Sequence, residues 1–262
     1  MSLNAKAHIK EKAELCSIIM PAYNSEKYIA QAIESVLNQN YTNWELIIIN
    51  DCSTDNTEQI IKSYQQKYAA NKRIKLINLT QNRGVANARN IGIQNTKGKY
   101  IAFFDADDIW QKEKLYKQIQ LLESTNVDIT YTAYQMIDET GKPIKERRIK
   151  ETLQLNNLLK ENSIIFSSVV CKKASIVNKH FKSEWYHEDY VFLLDFAKEG
   201  KNFKGIYESL MQYRVHQSGR SFNKQTAAKY RWKIYRKYLG MNLLQSLYYF
   251  AVYAWNGIKK YK

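Results

Sequence analysis

"FFDADDIW", residues 103–110, runs two phenylalanines straight into three carboxylates, Asp105, Asp107 and Asp108. A strand that buries Phe103 and Phe104 and then ends in that much negative charge calls for something positive at its tip. On an extended segment Asp105 and Asp107 fall on one side by the period of two, with Ala106 between them. One carboxylate can then hold a metal ion while the other meets a sugar hydroxyl or an ordered water. A plainer reading stays open, because Asp is also a preferred helix cap and D-x-D recurs by chance in many chains.

Working outward, the strand "KYIAFFDADD" is one of a series. "LCSIIMPAYN" (15–24) is a short apolar run stopped by Pro21, and "WELIIIND" (44–51) is a continuous apolar run of the kind covered on both faces. "YIAQAIESVLNQ" between them carries Ile29, Ile33, Val36 and Leu37 on one helical face. "STDNTEQIIKSYQQKY" opens with a capping signature, followed by the strand "RIKLINL" and the helix "GVANARNIGIQNT". After the acidic tip come the helix "KEKLYKQIQLLES" and the strand "DITYTAYQMI". This alternation predicts an α/β domain with a parallel sheet through about residue 135. Ligands of such sheets sit at the carboxyl ends of the strands, where "PAYN", "NDCSTD" and "DADD" all fall. Later the rhythm loosens: "DETGKPI" reads as a turn between strands, "IIFSSVVCKK" as a strand, "HEDYVFLLDFAKEG" as a helix ended by Gly200, and "ESLMQYRVH" as a last strand.

Composition narrows the classes. At 262 residues with 45% apolar and 25% charged residues the chain can bury a sizeable core, which excludes disorder for most of its length. Neither G-x-G-x-x-G nor G-x-x-x-x-G-K-[ST] is present, which disfavours a dinucleotide oxidoreductase or a P-loop ATPase. Three scattered cysteines, Cys16, Cys52 and Cys171, form no C-x-x-C and suit a reducing cytoplasm. The start, "MSLNAKAHIKEKAEL", has no apolar core of a signal peptide. Of the formal net charge of +15, +12 lies in residues 201–262, where 13 Lys and Arg face the single acid Glu208. Such a basic end points to an anionic surface, lipid or nucleic acid.

In order, "SIIMPAYNSEKYIAQAIESVLNQ", "NDCSTDNT", "NRGVANARNIGI", "FFDADD", "HEDY" and "YRVHQSGRS" resemble the family 2 glycosyltransferases. The resemblance covers about residues 15–222. It implies a glycosyltransferase-A fold: a Rossmann-like, mostly parallel sheet flanked by helices. It implies inverting transfer of a sugar from a nucleotide diphosphate, usually a UDP-sugar, with Mn²⁺ or Mg²⁺. The expected divisions are an extension over 1–14, a catalytic domain over 15–222 and a basic, aromatic helical tail over 223–262. Within the catalytic domain, 15–135 is the nucleotide half and 136–222 the acceptor half.

By the same resemblance, Pro21, Tyr23 and Asn24 lie against the base, Asp51 bonds its N–H with Ser53 beside it, and Arg83 reaches the base or diphosphate. Asp51 and Asp55 also suit helix capping. Arg89 is placed at the donor too, or else pairs with the acids of "DADD". Asp105 meets the ribose or sugar, Asp107 and His216 bind the metal, and Asp108 stands behind them. Arg214 and Ser218 touch phosphate. Asp189 of "HEDY" is implied as the base that deprotonates the acceptor hydroxyl, with Glu188 as its neighbour; the plain alternative is two acids favoured by a helix N-terminus. The processive members carry Q-x-x-R-W, which "QTAAKYRW" (225–232) does not match, so one sugar per encounter is expected.

The tail divides the possibilities further. Residues 239–258 carry no charge, hold three Tyr and one Trp, and are flanked by basic clusters. Asn242, Gln245, Ser246 and Asn256 argue against a membrane span, and an interfacial helix on anionic lipid fits better. Packing on the catalytic domain or a dimer contact is the alternative, and stacking on single-stranded nucleic acid is disfavoured by acids at the sheet tips. The function expected is a cytoplasmic, peripheral-membrane glycosyltransferase that builds lipopolysaccharide, capsule or a related glycan on a glycan or lipid-linked acceptor. The competing class is a sugar-nucleotide-binding or glycan-binding module that has lost catalysis.

Overall fold

A computed structural model describes residues 13–216 and 224–261. Its first half alternates as expected: β1 (Cys16–Ala22), α1 (Ile29–Leu37), β2 (Trp44–Asn50), α2 (Thr57–Lys67), β3 (Ile74–Asn78), α3 (Val85–Gln94) and β4 (Tyr100–Phe103). These four strands pair in parallel, in the order β3-β2-β1-β4. The short β5 (Ile109–Trp110) and α4 (Lys114–Ser124) follow the acidic tip.

The continuous apolar runs are explained by two cores, one on each face of the sheet. Ile18, Met20, Leu46 and Ile48 point into the core beneath α1 and α4. Ile19, Ile47, Ile49 and Phe103 point into the other, shared with α3 and the later helices. Helix α3 lies so close to β1 that a Cβ on Gly92 would stand 2.3 Å from Ile19 Cγ2.

The second half departs from simple alternation. It comprises β6 (Ile129–Ile137), β7 (Pro143–Arg147), β8 (Thr152–Leu153), α5 (Leu155–Lys160), β9 (Val170–Lys172), α6 (Glu188–Lys198) and β10 (Phe203–Arg214). The short strand β9 wedges between β4 and β6 and is antiparallel to both, so the parallel order stops at β4. The expected strand "IIFSSVVCKK" is interrupted by a 3₁₀ turn over Phe166–Ser168, with only Val170–Lys172 extended. The serines explain this: Ser168 Oγ bonds back to Ile165 O at 2.6 Å, while Ser167 Oγ accepts from the Asp105 backbone N–H at 3.0 Å. Gly200, at φ +70°, follows α6 as expected.

The tail forms α7 (Lys224–Lys233), a π-helical turn at Ile234–Tyr238 and α8 (Leu243–Tyr261). Gly240, at φ +64°, breaks the uncharged stretch before α8 begins. One side of this tail packs on the body. Tyr235 Oη donates to Leu159 O at 2.6 Å, Asn256 Nδ2 to Lys160 O at 3.3 Å, and buried Arg231 stacks on Tyr190 at 3.6 Å. Among the described residues no helix is long and apolar enough to cross a membrane.

Candidate functional site

The three polar tips meet at the carboxyl edge of β1, β2 and β4. The first two are tied together. Asn24, in the left-handed region at φ 46°, donates its backbone N–H to Ser53 Oγ at 3.0 Å and accepts from Thr54 N at 2.8 Å. Asp55 likewise accepts from Glu26 N and Thr57 N, both at 3.0 Å, so it joins the loop to the first residue of α2, although the cap position itself is Asn56. Tyr23 stands out at the same tip, half exposed.

Asp51 is buried directly after β2. Its Oδ1 and Oδ2 accept from the backbone N–H groups of Arg83 and Gly84, each at 2.8 Å. That pair of bonds fixes the loop before α3 and sets exposed Arg83 beside the second tip. One lone pair on each oxygen remains for another donor.

The acidic tip is a tight turn: Asp108 N donates to Asp105 O at 3.3 Å, and Trp110 Nε1 to Ser167 O at 2.9 Å. It sends its three carboxylates in different directions. Asp105 accepts from Arg89 Nη2 at 2.7 Å. Asp107 Oδ2 lies 2.9 Å from His216 Nε2. Asp108 is buried and accepts the backbone N–H of Arg214 at 3.0 Å. Burial first, then the charges of Asp107 and Asp105, raises the Asp108 carboxyl well above the ordinary range. The hydrogen bond to Asp107 raises the His216 imidazole above its ordinary value.

Arg89 takes the second of its two expected roles. It is buried, held over Phe166 at 4.8 Å and Phe181 at 5.4 Å, and its Nη1 donates to Glu188 Oε1 at 2.9 Å. The guanidinium therefore joins the D-x-D turn to the first residue of α6. The next residue, Asp189, is half-buried, and its Oδ1 accepts the Tyr190 N–H at 2.7 Å.

Arg214 turns inward. Its Nε donates to Asp107 O at 2.9 Å and its Nη2 to Gln31 Oε1 at 2.9 Å, with the guanidinium 4.4 Å over the Tyr28 ring. It braces the acidic turn from behind. Ser218 lies outside the described residues. Sequence reasoning missed Ser167, whose hydroxyl and carbonyl hold both ends of the acidic turn. Two serines inside the apolar run "IIFSSVV" were the available signal.

The donor set suits a hard divalent ion. Asp107 and His216 offer one carboxylate oxygen and one imidazole nitrogen, both partly open, at the edge of the acidic turn. Among the described residues no group of three or more His, Cys, Asp or Glu side chains is arranged to hold an ion. Two side-chain donors alone would leave such an ion most of its coordination positions to fill from other ligands.

Comparison with known proteins bears on the family and the fold. The sequence pattern of "Glycosyl transferase family 2" matches residues 17–181. The Escherichia coli "UDP-Glc:alpha-D-GlcNAc-diphosphoundecaprenol beta-1,3-glucosyltransferase WfgD" is 34% identical over 252 residues, covering 94% of this chain and 95% of the relative. Among solved structures, Staphylococcus aureus TarS in complex with UDP-GlcNAc superposes with a TM-score of 0.70 at 21% identity, over 92% of this chain and 71% of TarS. The mannosyltransferase PcManGT of Pyrobaculum calidifontis, in complex with GDP-Man and Mn²⁺, gives 0.70 at 15% identity, over 92% of this chain and 70% of its own. The fold is that of the glycosyltransferase-A enzymes, and the chain belongs to glycosyl transferase family 2 as a glycosyltransferase.

Proposed function

We propose that this glycosyltransferase moves one sugar at a time, with inversion, from a UDP-sugar to a lipid-linked glycan acceptor at the inner face of the plasma membrane. The observation that carries the reading is the split acidic turn. Asp107 faces His216 on one side, and Asp105 is joined through Arg89 to Glu188, next to Asp189, on the other. One strand tip thus serves both a diphosphate site and a base.

In this reading residues 15–135 hold the donor and 136–222 the acceptor. Tyr23, Asn24, Ser53 and Arg83 surround the base, with Asp51 holding their loops and offering its free lone pairs to a base N–H. Asp105 meets the ribose or the sugar. Asp107 and His216 hold a divalent cation, which when bound offsets charge on the diphosphate. His216 must give up the proton that Asp107 favours before it can serve as a ligand. Asp189, at the positive N-terminus of α6, takes the proton from the acceptor hydroxyl. The names of the relatives support donor and acceptor classes: WfgD pairs UDP-Glc with a diphosphoundecaprenol acceptor, and PcManGT was solved with Mn²⁺.

The test is acceptor-dependent release of UDP. The purified chain is given Mn²⁺, a panel of UDP-sugars and a diphosphoundecaprenol-linked saccharide, and the product is analysed by mass. Addition of a single sugar to the lipid-linked acceptor is expected. Donor hydrolysis with no transfer, across the whole panel, would contradict the reading.

A further inference from the structure

Helix α8 has two unlike faces. Its inner face carries buried Ser246, half-buried Tyr249 and Phe250, and Tyr253, whose ring lies 4.7 Å from the Arg231 guanidinium. Its outer face carries Leu244, Leu247, Tyr248 and Trp255 at 79%, 49%, 54% and 59% exposure, with Ala251 also exposed between them. The spacing 244, 248, 251, 255 is one stripe of a helix, so these side chains form a continuous apolar ridge. Leu243, equally exposed, extends it at the N-terminal end.

The ridge is bordered by positive charge. Lys160 Nζ lies 5.9 Å from the Tyr248 ring, and exposed Arg236 donates to the carbonyl of Met241 just before α8. Exposed Lys237 follows it. No acid occurs anywhere in residues 209–262. A second copy of the chain seated on this ridge by two-fold symmetry would bring the basic borders together with no acid of the tail to answer them. An anionic bilayer answers both features, apolar area for the ridge and headgroup charge for its borders.

We propose that α8 is an in-plane membrane helix: its outer ridge enters the headgroup–acyl boundary of an anionic bilayer while Lys160, Arg236 and Lys237 meet lipid phosphates. The helix is too polar to span, and its inner face is already bonded to α5 through Asn256 and Lys160. The foot is therefore rigidly joined to the half of the molecule assigned to the acceptor. The orientation brings that half to the bilayer surface from which a lipid-linked acceptor is presented. Only this purpose rests on the proposed function; the contact itself is read without turnover.

The test is flotation of the full chain with vesicles of phosphatidylcholine, with and without phosphatidylglycerol. Wild type is expected to float with the anionic vesicles. Leu244→Glu combined with Leu247→Glu should lower the bound fraction about tenfold or more, with the thermal unfolding midpoint unchanged because both side chains are exposed. Lys160→Gln combined with Arg236→Gln and Lys237→Gln should abolish the preference for phosphatidylglycerol. Three results would overturn the proposal: no flotation of wild type, equal flotation of the Glu variant, or a stable wild-type dimer that the Glu variant dissociates. Each can be distinguished from failure of the transferase reading, since UDP binding and sugar transfer are measured on the same protein without vesicles.

Discussion

Arg89 donates to Asp105 at 2.7 Å and to Glu188 at 2.9 Å, joining two acids that lie 16 and 99 residues from it in sequence. Its guanidinium is buried beneath Phe166 and Phe181, so both bonds are made in a low-dielectric pocket. Glu188 is buried as well, whereas Asp105 is partly open. Arg89 is thus a positioning residue: it sets one end of the acidic turn and the N-terminus of α6 in a fixed relation.

Arg89→Ala leaves Glu188 buried without its counter-charge and should cost about 3–5 kcal/mol of stability, read by urea unfolding. Arg89→Met combined with Glu188→Leu should recover a large part of that loss, because no buried charge remains. It should not recover transfer, because Asp105 and Asp189 are no longer held relative to each other. Recovery of both would reduce the contact to a structural one.

Asp189→Asn keeps the acceptor oxygen that receives the Tyr190 N–H, so the fold and UDP affinity should be unchanged. Removal of a general base of this kind lowers kcat by about 10²–10⁴-fold. Steady-state kinetics on acceptor and donor separately would show the loss in kcat with little change in donor KM. Undiminished turnover would move the base elsewhere.

Lys114 gives the stability a pH dependence of its own. The side chain is buried, its Nζ donating to Gln118 Oε1 at 2.7 Å and lying 4.0 Å over the Trp110 ring, and burial lowers its pKa to about 7. In the unfolded chain the value returns to 10.5. Below about pH 7 both states carry the proton and the full cost of the buried charge is felt. Between those two values the unfolded state binds the proton and the folded state does not. Stability therefore rises with pH across that window, by up to about 1.4 kcal/mol per unit from this group. Urea unfolding of wild type and Lys114→Met at pH 7 and pH 9 isolates the effect: the difference between the proteins should shrink as pH rises. A pH-independent difference would contradict the assignment.

Much of this was legible in the sequence because the first four strands are buried on both faces. Continuous apolar runs, helical spacing and polar tips repeat there without interference, and the tips fell where parallel sheets place ligands. The pairing of Arg89 with the acids of "DADD" was visible as an alternative. Its second bond, to Glu188, was not visible, because no local pattern reports a contact across 99 residues. The turn at Phe166–Ser168 was missed for a different reason. Its apolar flanks read as a strand, and only the hydroxyl bonds of Ser167 and Ser168 divert the backbone. The tail's apolar content was plain, but an uncharged stretch does not say which side packs on the body. Ser246 and Asn256 turned out to lie toward it and Leu244 and Trp255 away.

The most direct measurement is calorimetric titration of UDP into wild type and Asp107→Ala, each with Mn²⁺ and then with EDTA. The central claim is that the acidic turn and His216 bind a nucleotide diphosphate through a divalent ion. It predicts UDP binding to wild type that requires Mn²⁺, and loss of that requirement together with most of the affinity in Asp107→Ala. Equal affinity in EDTA and Mn²⁺, or wild-type affinity in the variant, would contradict it.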